Sequence, residues 1–168
     1  KEVQGFSAPS VDNPTSAFKL VEDTSSGEHR FYGTNRTVPL GVSATESFYI
    51  KANGRNALRL SYFGFNNFEP LFNFVTNTLI SSTGGSTPII KSVSIGNDWY
   101  RVSVSDTTNQ VSLRGVISLM KDDNSFSYTG DGTSGVYIFG AQIEQQPYAT
   151  SLMLPNTEGS TVTRVAET

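Results

Sequence analysis

The chain has 168 residues, enough for one domain with a substantial core. Its formal net charge is -3 and its lysines and arginines are scattered, which argues against a nucleic-acid partner, because phosphate binding needs a concentrated basic patch. There is no cysteine, so disulfides and thiolate metal sites are excluded, and no apolar run approaches the roughly 20 residues of a membrane-spanning helix.

Period-two alternation of apolar and polar side chains recurs along the chain, while no window sustains helical spacing, so the fold class is all-β. Ala17 to Val21 reads as a first strand and Glu28 to Tyr32 as a second. Glu46 to Lys51 is a third, and Asn53-Gly54 has the positive-φ chemistry of a tight hairpin leading into Ala57 to Phe63, which predicts that these two strands pair. A further strand starts near Leu71, after Pro70, where a missing N–H is tolerated. Ser81 to Ser86 reads as a flexible loop. Ile89 to Ile95 and Trp99 to Ser105 form a hairpin about Gly96-Asn97-Asp98, and Val111 to Met120 alternates with Val111, Leu113, Ile117 and Leu119 on one face. Asp122 to Asn124 and Gly130 to Gly132 mark turns before a closing strand, Val136 to Glu144. In that strand strict parity puts Val136, Ile138, Gly140, Gln142 and Glu144 on one side and Tyr137, Phe139, Ala141 and Ile143 on the other. Strands of this number and length predict two packed antiparallel sheets over residues 1–156, followed by a polar tail over 157–168.

Three segments carry a resemblance. Gly140-Ala-Gln-Ile-Glu144 followed by Ala149-Thr-Ser151 and Val162-Thr-Arg164, Gly96-Asn-Asp-Trp-Tyr-Arg101, and Ser47-Phe-Tyr-Ile-Lys-Ala52 together resemble the signature strands of jelly-roll modules in bacteriophage tail-fibre, head-fibre and virion appendage proteins. Asp12-Asn-Pro14 followed by His29 resembles the opening of that family, and Ser151-Leu-Met-Leu-Pro155 departs from its more usual Ser-Tyr-Ile-Pro. The resemblance implies a jelly-roll β-sandwich on the virion surface. It further implies a non-catalytic module for adhesion to host-surface polysaccharide, with other virion proteins as partners and a trimer as a plausible assembly. Two alternatives stand beside it: a structural capsid or fibre decoration module that contacts only protein, and a carbohydrate-binding module from a polysaccharide-degrading enzyme.

The residues themselves favour binding over catalysis. There is one histidine, His29, in a strand-like run, and neither a cysteine nucleophile nor a Gly-x-Ser-x-Gly elbow. Glycan sites need exposed aromatic rings for sugar C–H faces beside amide, carboxylate or guanidinium partners. Trp99 and Arg101 share a parity opposite to Tyr100 and Val102, which makes them candidates for an exposed sheet face, with Gln142 and Glu144 on a neighbouring strand. A structural alternative has Trp99 capping the core edge and Arg101 paired with Glu144. Tyr49 and Lys51 form a second surface pair that Arg59, on the expected hairpin partner, would extend. Phe63, Phe65 and Phe68 surround two asparagines and read either as a sticky protein interface or as core. Structural calcium is a further expectation, with Asp12, Asp122, Asp123 and Asp131 as hard ligands in turns that their turn chemistry alone also explains.

Overall fold

The computed structural model describes residues 2–6 as backbone and residues 17–84 and 87–153 in full. With strands numbered in chain order, one sheet runs β1 (Glu2–Phe6), β2 (Ala17–Val21), β14 (Gly135–Glu144), β6 (Ser43–Asn53), β11 (Trp99–Thr107) and β10 (Ile89–Gly96). The second runs β4 (Arg30–Tyr32), β12 (Ser112–Met120), β7 (Ala57–Phe63), β8 (Glu69–Asn73) and β9 (Thr78–Thr83), with β5 (Arg36–Thr37) also on β12. β3 (Ser26–Gly27) and β13 (Tyr128–Thr129) make a small ribbon. Neighbouring strands in all three sheets are antiparallel. No helix occurs among the described residues.

The core lies between the two large sheets, as alternation demands. Phe48, Ile50, Val102, Val104 and Ile138 face inward from the first, and Leu58, Leu60, Phe72, Leu113, Ile117 and Leu119 from the second. Burying a side chain of this size stabilises by about 1.5–3 kcal/mol, so this shared layer is what commits each strand to its face. Val111, expected on the same face, lies just before β12 and is exposed.

Two expectations are corrected. β6 and β7 are not hairpin partners: Gly54 does take a positive φ of 85°, but the chain there crosses from one sheet to the other. β6 pairs instead with β11 and β14. Turn residues specify local dihedrals, not which strand lies alongside. The Ser/Thr-rich stretch read as a loop from Ser81 belongs in part to β9, an edge strand paired to β8 from Glu69↔Thr83 to Asn73↔Thr78. The hairpin of β10 and β11 forms as expected, with Asn97 and Asp98 both at positive φ, 52° and 62°.

Two carboxyl groups are enclosed. Glu22, only 1% exposed, accepts hydrogen bonds from Arg55 Nε (2.9 Å) and Nη2 (2.7 Å), the Tyr128 hydroxyl (2.9 Å) and the Asp131 backbone N–H (2.8 Å). Burial pushes the Tyr128 hydroxyl up to about 12, keeping it a donor. Glu46, on the inner face of β6, has its Oε2 sealed from solvent without a hydrogen-bond partner, although the residue as a whole is only half-buried. Gly115 of β12 makes room for it, since any Cβ there would collide with this carboxyl. Burial raises the Glu46 carboxyl to about 7, against a smaller opposing effect of the Tyr62 hydroxyl that hydrogen-bonds it.

Glu22→Ala should destabilise the fold by about 3–5 kcal/mol in urea unfolding, because Arg55 would be left buried without its carboxylate. Glu22→Leu combined with Arg55→Met should recover much of that loss, and additive losses would overturn the coupling. Glu46 gives a pH signature. Its folded value lies above its ordinary one, so the folded state holds a proton that the unfolded state releases, and the stability this contributes is lost as pH rises from about 4.5 to about 7. Stability should fall by about 3 kcal/mol more across that window in the parent chain than in Glu46→Gln, and parallel curves would refute the assignment.

Candidate functional site

The first sheet's outer face gathers most of the sequence-predicted set. Register places Arg101 opposite Tyr49 and Tyr49 opposite Phe139, with Ser47 opposite Gln142 and Thr45 opposite Glu144. Trp99, Arg101, Tyr49, Gln142 and Glu144 therefore do share one face. Strict alternation would have put Gln142 and Glu144 with Val136 and Ile138 in the core. A bulge between Phe139 and Gln142, with Gly140 at φ 60°, switches the face of the strand and turns Ile143 inward instead.

That face is closed. Trp99 is 5% exposed and packs with Ala17, Phe139, Tyr49, Tyr137 and Leu152 in a second small core, so it is not the exposed platform that parity suggested. Arg101 does not pair with Glu144: its guanidinium lies 5.3 Å from the Tyr49 ring centroid and donates to Ser47 Oγ at 2.9 Å. Glu144 instead accepts from Gln142 Nε2 (2.8 Å), Gln146 Nε2 (2.9 Å), the Thr150 N–H (3.0 Å) and the Thr150 hydroxyl. Burial works to raise its carboxyl, and these donors outweigh that and hold it below the usual range. Gln142 Oε1 accepts from Met153 N–H at 3.1 Å. Gln142 and Glu144 are thus fasteners that fold the segment after β14 back over the sheet, seating Leu152 against Gly140.

The outer face of the second sheet is the opposite case. Register aligns Tyr32, Val116 and Ser61 in one row, Arg30, Ser118 and Arg59 in the next, and Arg114 opposite Phe63. Tyr32 and Phe63 are 54% and 44% exposed. With Arg59, Arg114, Asn67 and Glu69 they line a groove of about 280 Å³, and a second hollow of about 570 Å³ lies beside it across Arg30 and Tyr32. Phe65 and Phe68, the other interface candidates, are buried in the chain's own core, because Asn66 and Asn67 take positive φ and turn the chain back beneath Phe63.

Charged side chains hold this face in place. Arg59 donates to Glu28 Oε2 at 3.0 Å and to Glu69 Oε2 at 2.8 Å, and its guanidinium lies 4.7 Å from the Phe126 ring centroid. Arg59 therefore belongs to this groove and not to the Tyr49 face. Glu28 also pairs with Arg30, whose guanidinium holds the Glu28 carboxyl below the usual range. Arg30 Nη1 in turn donates to the Tyr32 hydroxyl at 3.3 Å. The face offers two open rings, guanidiniums, an amide and carboxylates in one strip, the set of groups that sugar rings and hydroxyls can use. The outward parity of Arg30 with Tyr32, and of Arg114 with Val116, was readable in the sequence. That β4, β12 and β7 lie side by side was not.

The turn carboxylates act as caps. Asp123 accepts from Ser125 N–H at 2.9 Å, and Asp131 accepts from Thr133 N–H and Ser134 N–H, each at 2.7 Å. Asp122 is exposed and Asp12 lies outside the described residues. Among the described residues no three acidic, histidine or cysteine side chains converge as metal ligands, so Asp122, Asp123 and Asp131 do not form a shared calcium site of that kind. His29 is buried, with its ring centroid 4.9 Å from that of Tyr128. Compared with known proteins, the chain matches no family model and no curated protein.

Proposed function

We propose that this chain is a non-catalytic jelly-roll module of a virion fibre or capsid appendage, and that it binds host-surface polysaccharide through the outer face of β4, β12 and β7. The winding supports the fold: the chain passes from β6 in one sheet to β7, β8 and β9 in the other, back to β10 and β11, over to β12 and back to β14. The virion setting rests on the resemblance of the motifs around Gly96 and Gly140. What carries the glycan reading is the groove, where two exposed aromatic rings flank the Asn67 amide, the Arg114 guanidinium and the hydrogen-bonded pair Arg59 and Glu69. Glu28, which lines the adjoining hollow, is held below the usual carboxyl range by Arg30, which suits a hydrogen-bond acceptor better than the raised general acid of a glycosidase.

A shallow groove of this kind supplies affinity of roughly mM to μM, about 4–8 kcal/mol, and many copies on one particle raise it through effective concentration. On a glycan array followed by titration of the best ligand, Tyr32→Ala and Phe63→Ala should each weaken binding about ten-fold with little change in thermal stability, since both rings are exposed. A blank array with folded protein, or undiminished binding by both variants, would remove this reading.

One observation favours the protein-only alternative. Leu79 and Ile80 on β9 and Ile89, Val93 and Ile95 on β10 are exposed aliphatics on outer strands of their sheets. Ser92 of β10 draws these edges together, donating from N–H to Asn77 Oδ1 at 2.7 Å and from its hydroxyl to the Phe74 carbonyl at 2.5 Å. An apolar edge of this kind is where another chain can add. This reading expects an oligomer by light scattering that Ile89→Lys with Val93→Lys disperses, and a parent chain that stays monomeric at high concentration counts against it.

A further inference from the structure

Among the three arginines of the groove, the charges are not matched alike. Arg30 is paired with Glu28, and Arg59 with Glu28 and Glu69. The Arg114 side chain has neither an ion pair nor a hydrogen bond with any described residue: its guanidinium lies 5.7 Å from the Tyr32 ring centroid, and its Nε is enclosed without an acceptor. It stands opposite Phe63 on the neighbouring strand, between the two exposed rings. The enclosed Nε is out of a ligand's reach, whereas the two Nη groups are not among the sealed atoms and have no acceptor among the described residues, so they are the donors left for an acceptor from outside the chain.

From this we infer that the groove recognises an acidic polysaccharide, and that Arg114 binds the carboxylate of a uronate or sialate residue while Tyr32 and Phe63 take the sugar faces on either side. This rests on the glycan-binding reading and narrows it. A guanidinium can meet a carboxylate in a planar two-point contact through its two Nη groups, the donors of Arg114 that are not sealed from solvent. The position of Tyr32 is compatible with the same ligand, because an aromatic ring 5.7 Å from the guanidinium leaves its charge unneutralised. Glu28 and Glu69 do not oppose an anion there, since Arg59 and Arg30 hold both carboxylates. The specificity has a direct chemical form: a sugar acid is bound, and the same sugar with its carboxyl reduced to a hydroxymethyl group is not.

The test uses the whole chain against polygalacturonate, alginate, hyaluronate and polysialate, each beside its carboxyl-reduced derivative, with dextran sulfate and neutral glycans as controls. At least one acidic polymer should bind, its reduced form should bind at least about ten-fold more weakly, Arg114→Gln should lose the same factor, and Arg114→Lys should recover only part of it. Equal binding of an acidic polymer and its reduced form, or binding of neutral glycans alone, overturns the inference and leaves the glycan reading standing. Equal binding of dextran sulfate that Arg114→Lys fully retains shows a general polyanion contact and also overturns it. Failure of every glycan to bind folded protein removes the underlying reading together with the inference. Because Arg114 is partly exposed on an outer face, unchanged unfolding curves for its variants separate lost binding from lost structure.

Discussion

The Glu22 carboxylate joins three distant parts of the chain at one point. Its donors come from the crossing between the two sheets at Arg55, from β13 at Tyr128 and from the approach to β14 at Asp131. A carboxylate that is 1% exposed would be costly without partners, so each donor is needed once the others have taken it out of water. The residue therefore fixes where the chain leaves one sheet for the other, and that crossing decides which strands can pair. β7 is free to lie beside β12 because β6 does not hold it in a hairpin. The strip of Arg59, Ser118 and Arg30 follows from that pairing.

The two sheets then treat their outer faces in opposite ways. On the first, the bulge at Gly140 turns Gln142 and Glu144 outward, and their hydrogen bonds draw the segment after β14 across Trp99 and Phe139. An indole and three other rings there are covered by the chain itself. On the second, Tyr32 and Phe63 are left open. The contrast matters because composition alone makes the first face look like the richer glycan platform. Burial reverses that order: rings already packed against Leu152 would have to give up that contact before a sugar could stack on them.

Much of the fold was legible in the sequence, and the failures have identifiable causes. β2, β7 and the hairpin of β10 and β11 follow directly from alternation and from Asn97-Asp98. Asn53-Gly54 misled because the same dihedrals serve a sheet crossing as well as a hairpin. The grouping of Gln142 and Glu144 with Trp99 and Arg101 holds, but strict parity, which sets them with Val136 and Ile138, fails, because one inserted residue at a bulge inverts all later parity, a shift that no period-two count can register. β9 was missed because an edge strand exposed throughout needs no apolar alternation and can be built of serine and threonine. The groove was invisible for a different reason. Arg59 and Phe63 were both singled out, but for separate surfaces, and only the register of β4, β12 and β7 puts them beside Tyr32 and Arg114.

The electrostatics of the groove bear on how a shallow site can discriminate. Exposed ion pairs contribute little to stability, and the partly exposed network of Glu28, Arg30, Arg59 and Glu69 follows that rule. Its larger effect is on order: two carboxylates hold Arg59, and one of them holds Arg30, so neither side chain has to be immobilised when a ligand arrives. Such preorganisation lowers the cost of binding without adding a contact. It also confines the uncompensated charge to Arg114, whose guanidinium lies 5.7 Å from the Tyr32 ring centroid. A site so arranged would take its affinity from ring stacking, which tolerates many sugars, and its selectivity from one guanidinium, which does not. Under that division, replacing either ring would lower affinity for all ligands together, whereas changing Arg114 would alter which ligands are preferred.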